Sequence, residues 1–312
     1  MTNERGGKIY RNHHETDSSA LRKSRHEAPT APHGENHIKP SSAAQFGAGI
    51  LIVDDDPINQ EIAYRMLRKL GCTAEAVANG QIALERFANR KFDLILMDCE
   101  MPVMDGFTAV EQIRDLESRA SPAQRAIPIV ASTARPWIEV RERCENVGMN
   151  DFVVKPFDII QLAETLKRWL NITSNAIAAV ADQSFPASTS LVTTALDPAA
   201  LDAIRKIGGD TGVSLVARVI GQYHDNARRA AATIRACLES DDADGAWRAA
   251  HKLKSSSGTL GAHRLWAHCQ EIERRARDQG SEAAKPLLAR LDAEISLVLA
   301  ELTPLGPTGH SL

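Results

Sequence analysis

The sequence lacks most of the features that mark a membrane protein, a secreted protein or an ATP-using enzyme. Its 312 residues contain no apolar run of the roughly 18–20 residues that a membrane-crossing helix needs, so no membrane insertion is expected. The N-terminal region has no apolar signal core, which predicts a cytoplasmic protein. An excess of one charge is missing too. The 37 basic and 40 acidic residues leave −3, which excludes nucleic-acid binding by bulk electrostatics. The five cysteines, Cys72, Cys99, Cys144, Cys237 and Cys269, stand at least 27 positions apart. An odd, scattered set excludes a disulfide framework or a clustered zinc site and fits reduced thiols. There is no Gly-rich phosphate loop and no nucleotide-binding kinase motif, so the chain is not expected to use ATP.

What is present divides into four parts. Residues 1–48 are polar, with Pro and Gly and few large aliphatics, and read as a disordered tail. Residues 171–196 are rich in Ser, Thr and Ala and read as a flexible linker, able to span roughly 25–30 Å. Between and after them lie two segments with enough apolar residues to fold, 49–170 and 197–312.

The first of these alternates strand and helix patterns five times. Gly49–Val53 and Phe92–Met97 are continuous apolar runs, as expected of strands buried on both faces. Pro57 opens a helix that Gly71 ends, and Asn79 is placed to cap the next. Alternating βα units imply a doubly wound parallel sheet of five strands, with helices on both faces. Ligands in such sheets sit at the carboxyl ends of the strands. Those ends carry Asp54, Asp55 and Asp56, then Asp98, then Ser132 and Thr133, then Lys155. Several carboxylates at one point repel, and a hard divalent cation such as Mg²⁺ would relieve them. An ionised Asp98 could then act as a nucleophile, with Thr133 and Lys155 holding the oxygens of an incoming phosphoryl group.

The motifs LIVDDDPINQ, LILMDCEMPVMDG, IVASTA and DFVVKPF, in this order, resemble the receiver domain of two-component response regulators. The resemblance covers essentially all of 49–170 and implies a flavodoxin-like fold. It implies that Asp98 accepts phosphoryl and that Asp55 and Asp98 bind Mg²⁺, with Asp54 acting through water. It adds the backbone carbonyl of Glu100 as a further metal ligand, Thr133 as the switch hydroxyl, Lys155 as the phosphate-pairing lysine and Phe152 as the switch aromatic. Two positions are individual to this chain. Glu100 and Arg135 flank the expected water route, and a pairing across the site that sets the lifetime of the phospho-form is expected of them.

Segment 197–312 shows helical periodicity throughout and reads as an all-α bundle. On one of its helices, His251, Lys254, Ser255 and Gly258 share a face through i+3, i+4 and i+7 spacing. The small residues would leave the imidazole uncovered, so an exposed His beside a Lys is expected. H-x-L-K-x-S-S-x-x-L-G resembles the histidine phosphotransfer (HPt) domain, a four-helix bundle, over about 197–302. The resemblance makes His251 the phospho-accepting histidine and Lys254 the phosphate-stabilising lysine. Ser255 departs from the family's usual Gly, which predicts slightly tighter access to the ring.

Together these readings describe a phosphorelay intermediate. Phosphoryl would pass from a sensor histidine kinase to Asp98, then to His251, then to a downstream response regulator. Two other readings stand beside it: a detached receiver–HPt part of a hybrid histidine kinase, and a phosphorylation-dependent binding module with a phosphate sink. A receiver-mediated dimer is a further partner that the resemblance admits.

Overall fold

The computed structural model describes residues 47–120, 126–170 and 194–306. The tail read at 1–48 and the linker read at 171–196 fall, but for 47–48 and 194–196, outside the described residues.

The first half is β1 (Gly49–Val53), α1 (Pro57–Lys69), β2 (Thr73–Val77), α2 (Gly80–Asn89), β3 (Leu94–Asp98), α3 (Gly106–Ala120), β4 (Ile129–Thr133), α4 (Trp137–Val147), β5 (Asp151–Val154) and α5 (Ile159–Trp169). The strands form one parallel sheet in the order β2-β1-β3-β4-β5. β3 and β4 are buried along their whole length, apolar in their first residues and polar at their carboxyl ends, Asp98, Ser132 and Thr133. Side chains end the loops where the sequence suggests. Asp56 caps α1 by accepting from the Ile58 amide, and Asn79 caps α2 by accepting from the Ile82 amide. Asp158 and Gln161 close a reciprocal capping box on α5.

The second half is α6 (Pro198–Gly208), α7 (Gly212–Glu239), α8 (Ala243–Thr259), α9 (His263–Gln279), the short α10 (Ser281–Ala284) and α11 (Leu288–Leu302). Helices α7, α8, α9 and α11 close a four-membered ring around Tyr223, Ile234, Leu253, Ile272 and Val298. The fold class read from the sequence is thus the one observed. The bundle begins earlier than expected. Ala195 and Leu196 are buried, and their amides donate to the Glu301 carboxylate at 2.8 and 3.1 Å. The last residues assigned to the linker therefore belong to the bundle, held by a carboxylate more than a hundred positions away.

The two halves lie in one compact unit. Leu201, Ile204 and Ile207 of α6 share a continuous apolar core with Ile58, Ile62 and Met66 of α1. The Lys69 ammonium reaches the Lys206 carbonyl at 3.0 Å. The amphipathic stripe of α6 is thus spent on the sheet domain as well as on the bundle.

Candidate functional site

The strand ends do converge. Lys155, just past β5, places its ammonium 2.5 Å from Asp98 Oδ2 and 2.7 Å from Asp54 Oδ2. One carboxylate oxygen from each of Asp54, Asp55 and Asp98 lies within 4.8 Å of the other two. The Glu100 amide donates to Asp98 Oδ1, and the Asp56 amide to Asp54 Oδ1. Burial and the Asp54 charge push the Asp98 carboxyl up to about 7, against the pull of Lys155. Burial alone would lower the Lys155 pKa, but the Asp54 and Asp98 carboxylates outweigh it and hold the ammonium protonated. Thr133 is buried at the end of β4, its hydroxyl accepting from the Arg135 amide. Phe152 is half-buried on β5 against the core beneath.

The backbone is pressed tight here. A Cβ on Gly106 would stand 2.0 Å from the Asp98 carbonyl oxygen, so only glycine lets α3 start this close to β3. The ligand atoms that Asp54, Asp55 and Asp98 offer are all carboxylate oxygens. A hard, oxygen-seeking divalent cation fits this donor set.

The second cluster sits on α8. His251 Nδ1 donates to Glu273 Oε1 of α9 at 3.1 Å, and the Lys254 ammonium meets Glu273 Oε2 at 2.5 Å. Glu273 escaped the sequence reading, although its place gives a signal. It is a carboxylate within the apolar stripe Leu265, Cys269, Ile272, Ala276 of α9. A buried acid in such a stripe needs a cation, and His251 and Lys254 supply it.

One expectation is overturned. His251 is 6% exposed and Lys254 2%, so neither is the open surface group that the small neighbours suggested. Lys254 is met by Glu273 of its own bundle, while His251 is met from the other half of the chain as well. Glu100 Oε2 lies 2.9 Å from His251 Nδ1, while Arg135 Nη1 holds Glu100 Oε1 at 3.4 Å. The expected Glu100–Arg135 pairing is present, and it reaches on to the imidazole. Burial pulls the His251 pKa down, but the two glutamates outweigh it and push it up to about 9. Glu100, penalised by burial, is nonetheless lowered to about 2 by His251 and Arg135. The two glutamates of this cluster are shared among three basic groups, His251, Lys254 and Arg135.

Further contacts fix the approach. The Lys252 ammonium binds Asp55 twice, at Oδ2 (2.9 Å) and at the carbonyl oxygen (3.0 Å). The Asn59 amide donates to Ser255 Oγ at 3.0 Å and accepts from Thr259 Oγ1 at 3.1 Å. Arg218 of α7 pairs with Glu61 of α1. A Cβ on Gly258 would meet Pro156 at 3.4 Å, so the helix approaches the Lys155-Pro156 loop closely there. The serine at 255 is therefore a cross-domain hydrogen-bond partner and more than a small spacer. Sequence reasoning missed Asn59, Lys252 and Arg218, because no periodicity relates residues some 160–200 positions apart.

A doubly wound sheet with acids and a lysine at its strand ends, closed by a helix bundle with a buried histidine, defines a phosphorelay module. The family matches agree. Residues 50–167 match the response regulator receiver domain and residues 218–301 match the Hpt domain, so the chain carries a receiver domain followed by an Hpt domain. The hybrid signal transduction protein dokA of Dictyostelium discoideum is 39% identical over 143 residues, 46% of this chain and 8% of that protein. The sensor histidine kinase GacS of Pseudomonas protegens is 29% identical over 257 residues, 81% of this chain and 27% of that kinase. The chain thus spans a small part of the length of these relatives. A crystal structure of a sensor kinase receiver domain from Pseudomonas aeruginosa, with magnesium in its active-site cleft, is 41% identical. It covers 40% of this chain and 98% of its own, with a TM-score of 0.36. Among the described residues, no helix is long and apolar enough to cross a membrane.

Proposed function

We propose that the chain takes a phosphoryl group from a histidine kinase onto Asp98, transfers it within the chain to His251, and delivers it to a downstream response regulator. The observation that carries this reading is the approach of the two sites. Glu100, two residues after Asp98, lies against the ring of His251.

The residues divide the work as follows. Asp98 Oδ carries the phosphoryl group, and Lys155 pairs with its oxygens as it already pairs with the carboxylate. Thr133 offers a hydroxyl to a second oxygen. Mg²⁺, held by Asp54, Asp55, Asp98 and the Glu100 carbonyl, would neutralise charge on the transferring phosphoryl oxygens. Glu273 keeps the proton on Nδ1 of His251, and the ring attacks in its neutral form, once Nε2 has released its proton to solvent and presents its lone pair. The Nε2–P bond forms as the P–O bond to Asp98 breaks, and the electron pair returns to the carboxylate. Nδ1 keeps its proton, and the positive ring that results is balanced by Glu273 and Glu100. Lys254 then lies one turn away to pair with the new phosphoryl group. Glu100 and Arg135 screen the acyl phosphate from water and set its lifetime.

The chain's overlap with GacS favours a second reading of its place, as the receiver–Hpt part of a hybrid kinase system. The chemistry is the same in both, and the proposed setting is the cytoplasm.

Labelling with acetyl phosphate tests the intramolecular step. We expect label on Asp98 first, then on His251, with a first-order rate independent of protein concentration. In Asp98→Asn, His251 should stay unlabelled. A rate that scales with concentration, or label on His251 in that variant, overturns the reading.

A further inference from the structure

The docked arrangement has a consequence for both sites at once. Asp98 and His251 are both buried, and Glu100, two residues after Asp98, lies against His251, so neither is open to a second protein while the domains are joined. The contact that bears most directly on the acidic cluster is Lys252, whose ammonium binds Asp55 through both a carboxylate and a carbonyl oxygen.

This contact alters the charge of the acidic cluster. With all three acids ionised, the form that a cation binds, Asp54, Asp55 and Asp98 face Lys155 and Lys252, leaving one negative charge in excess. A dication added to this docked cluster leaves one positive charge in excess, with an ammonium directly on one of the ligands. If Lys252 withdraws, the dication brings the cluster to neutrality. A phosphoryl group on Asp98 adds one further negative charge, and the cluster with the dication is then neutral only when Lys252 returns. In a buried site, where like charges repel strongly, these differences decide which state is populated.

We propose that Lys252 is a cationic gate: a divalent ion at the acidic cluster opens the receiver–Hpt interface, and ion and phosphoryl group together close it again. The inference rests on the relay reading above for its purpose but not for its physics. It gives the cycle an order. The metal-loaded, unphosphorylated receiver stands open to its phosphoryl donor. The loaded receiver, once phosphorylated, docks on its own Hpt domain. Loss of phosphoryl from Asp98 opens the interface and exposes His251 to the next protein. By reciprocity, whatever weakens the Lys252 contact must tighten metal binding.

Two measurements on the intact chain test this without any turnover. Small-angle scattering should show a compact molecule in EDTA, an expanded one with Mg²⁺, and a compact one with Mg²⁺ and beryllofluoride. Mn²⁺ binding followed by electron paramagnetic resonance should be about fivefold tighter in Lys252→Gln than in the wild type. Lys252→Gln should also be expanded in EDTA and change little on adding Mg²⁺. An Asp55→Asn control identifies the signal from the acidic cluster. Dimensions that do not change with Mg²⁺, or a wild-type Mn²⁺ affinity in Lys252→Gln, overturn the gate. The outcomes separate cleanly from the relay. Label that reaches His251 with no Mg²⁺ expansion sinks the gate alone, while expansion with no label on His251 sinks the relay alone.

Discussion

The two buried clusters are built from the same materials in opposite proportion. In the receiver domain, carboxylates surround an ammonium, and Lys155 belongs to the same domain as the acids that it serves. In the Hpt domain, an imidazole and an ammonium surround one carboxylate, Glu273, and a second carboxylate, Glu100, comes from the receiver. The receiver cluster has a counter-cation of its own, and docking adds Lys252 to it. The Hpt cluster is completed by docking, so the charge on His251 reports whether its neighbour is present. That asymmetry can be broken or sharpened by substitution.

The largest effect should come from Glu273→Ala. It leaves Lys254 and His251 buried without their shared partner, and breaking a buried pair in this way costs about 3–5 kcal/mol. Chemical denaturation should show the loss in the transition that melts the bundle, with Glu273→Gln milder. A loss under about 1 kcal/mol would mean that the cluster does not hold the bundle together.

Next is Gly106→Ala, which drives a methyl group into the Asp98 carbonyl and should cost the receiver about 1–3 kcal/mol. The bundle transition should not move. A shift in both transitions would show that the receiver's acceptor loop carries stability for the bundle as well.

A smaller effect belongs to the interface. Ser255→Gly and Asn59→Ala each remove the same hydrogen bond, worth about 0.5–1.5 kcal/mol. Their double-mutant cycle on the intact chain should give a coupling of similar size, since the residues touch. Full additivity would mean that the contact contributes nothing in solution.

The smallest effect is a titration. His251 is held above its ordinary value, so its contribution to docking is full below about pH 6.5 and fades as pH rises through about 9. Glu100→Gln should lower the His251 pKa towards its ordinary value while leaving the bundle folded. The imidazole proton shifts in an NMR titration measure this directly. An unmoved pKa would assign the whole shift to Glu273 and remove the receiver from the account of His251.

The sequence was most legible where local geometry dictates position. A parallel sheet puts its ligands at the carboxyl ends of its strands, so Asp54, Asp98, Thr133 and Lys155 could be named together before any coordinates. Helical spacing likewise put His251, Lys254, Ser255 and Gly258 on one face. What stayed hidden was everything that depends on the other domain. His251 looked exposed because its own helix leaves it bare, and it is met by Glu273 of the next helix and by Glu100 from a distant segment. Ser255 looked like a spacer until Asn59 stood opposite. The start of the bundle was read as linker because Ala195 and Leu196 are held by Glu301, which lies at the far end of the bundle.

The apolar stripe of α6 that packs on α1 keeps acceptor and donor domains within one another's reach. A covalently joined pair of this kind meets at an effective concentration on the order of millimolar. Any other receiver that reaches for His251 competes against that local excess. A free rival present at micromolar levels wins the histidine only by binding far more tightly, or by arriving when the chain's own receiver has let go. The docked interface therefore acts as an insulator: it sets a threshold of affinity and timing below which foreign receivers draw nothing from the relay.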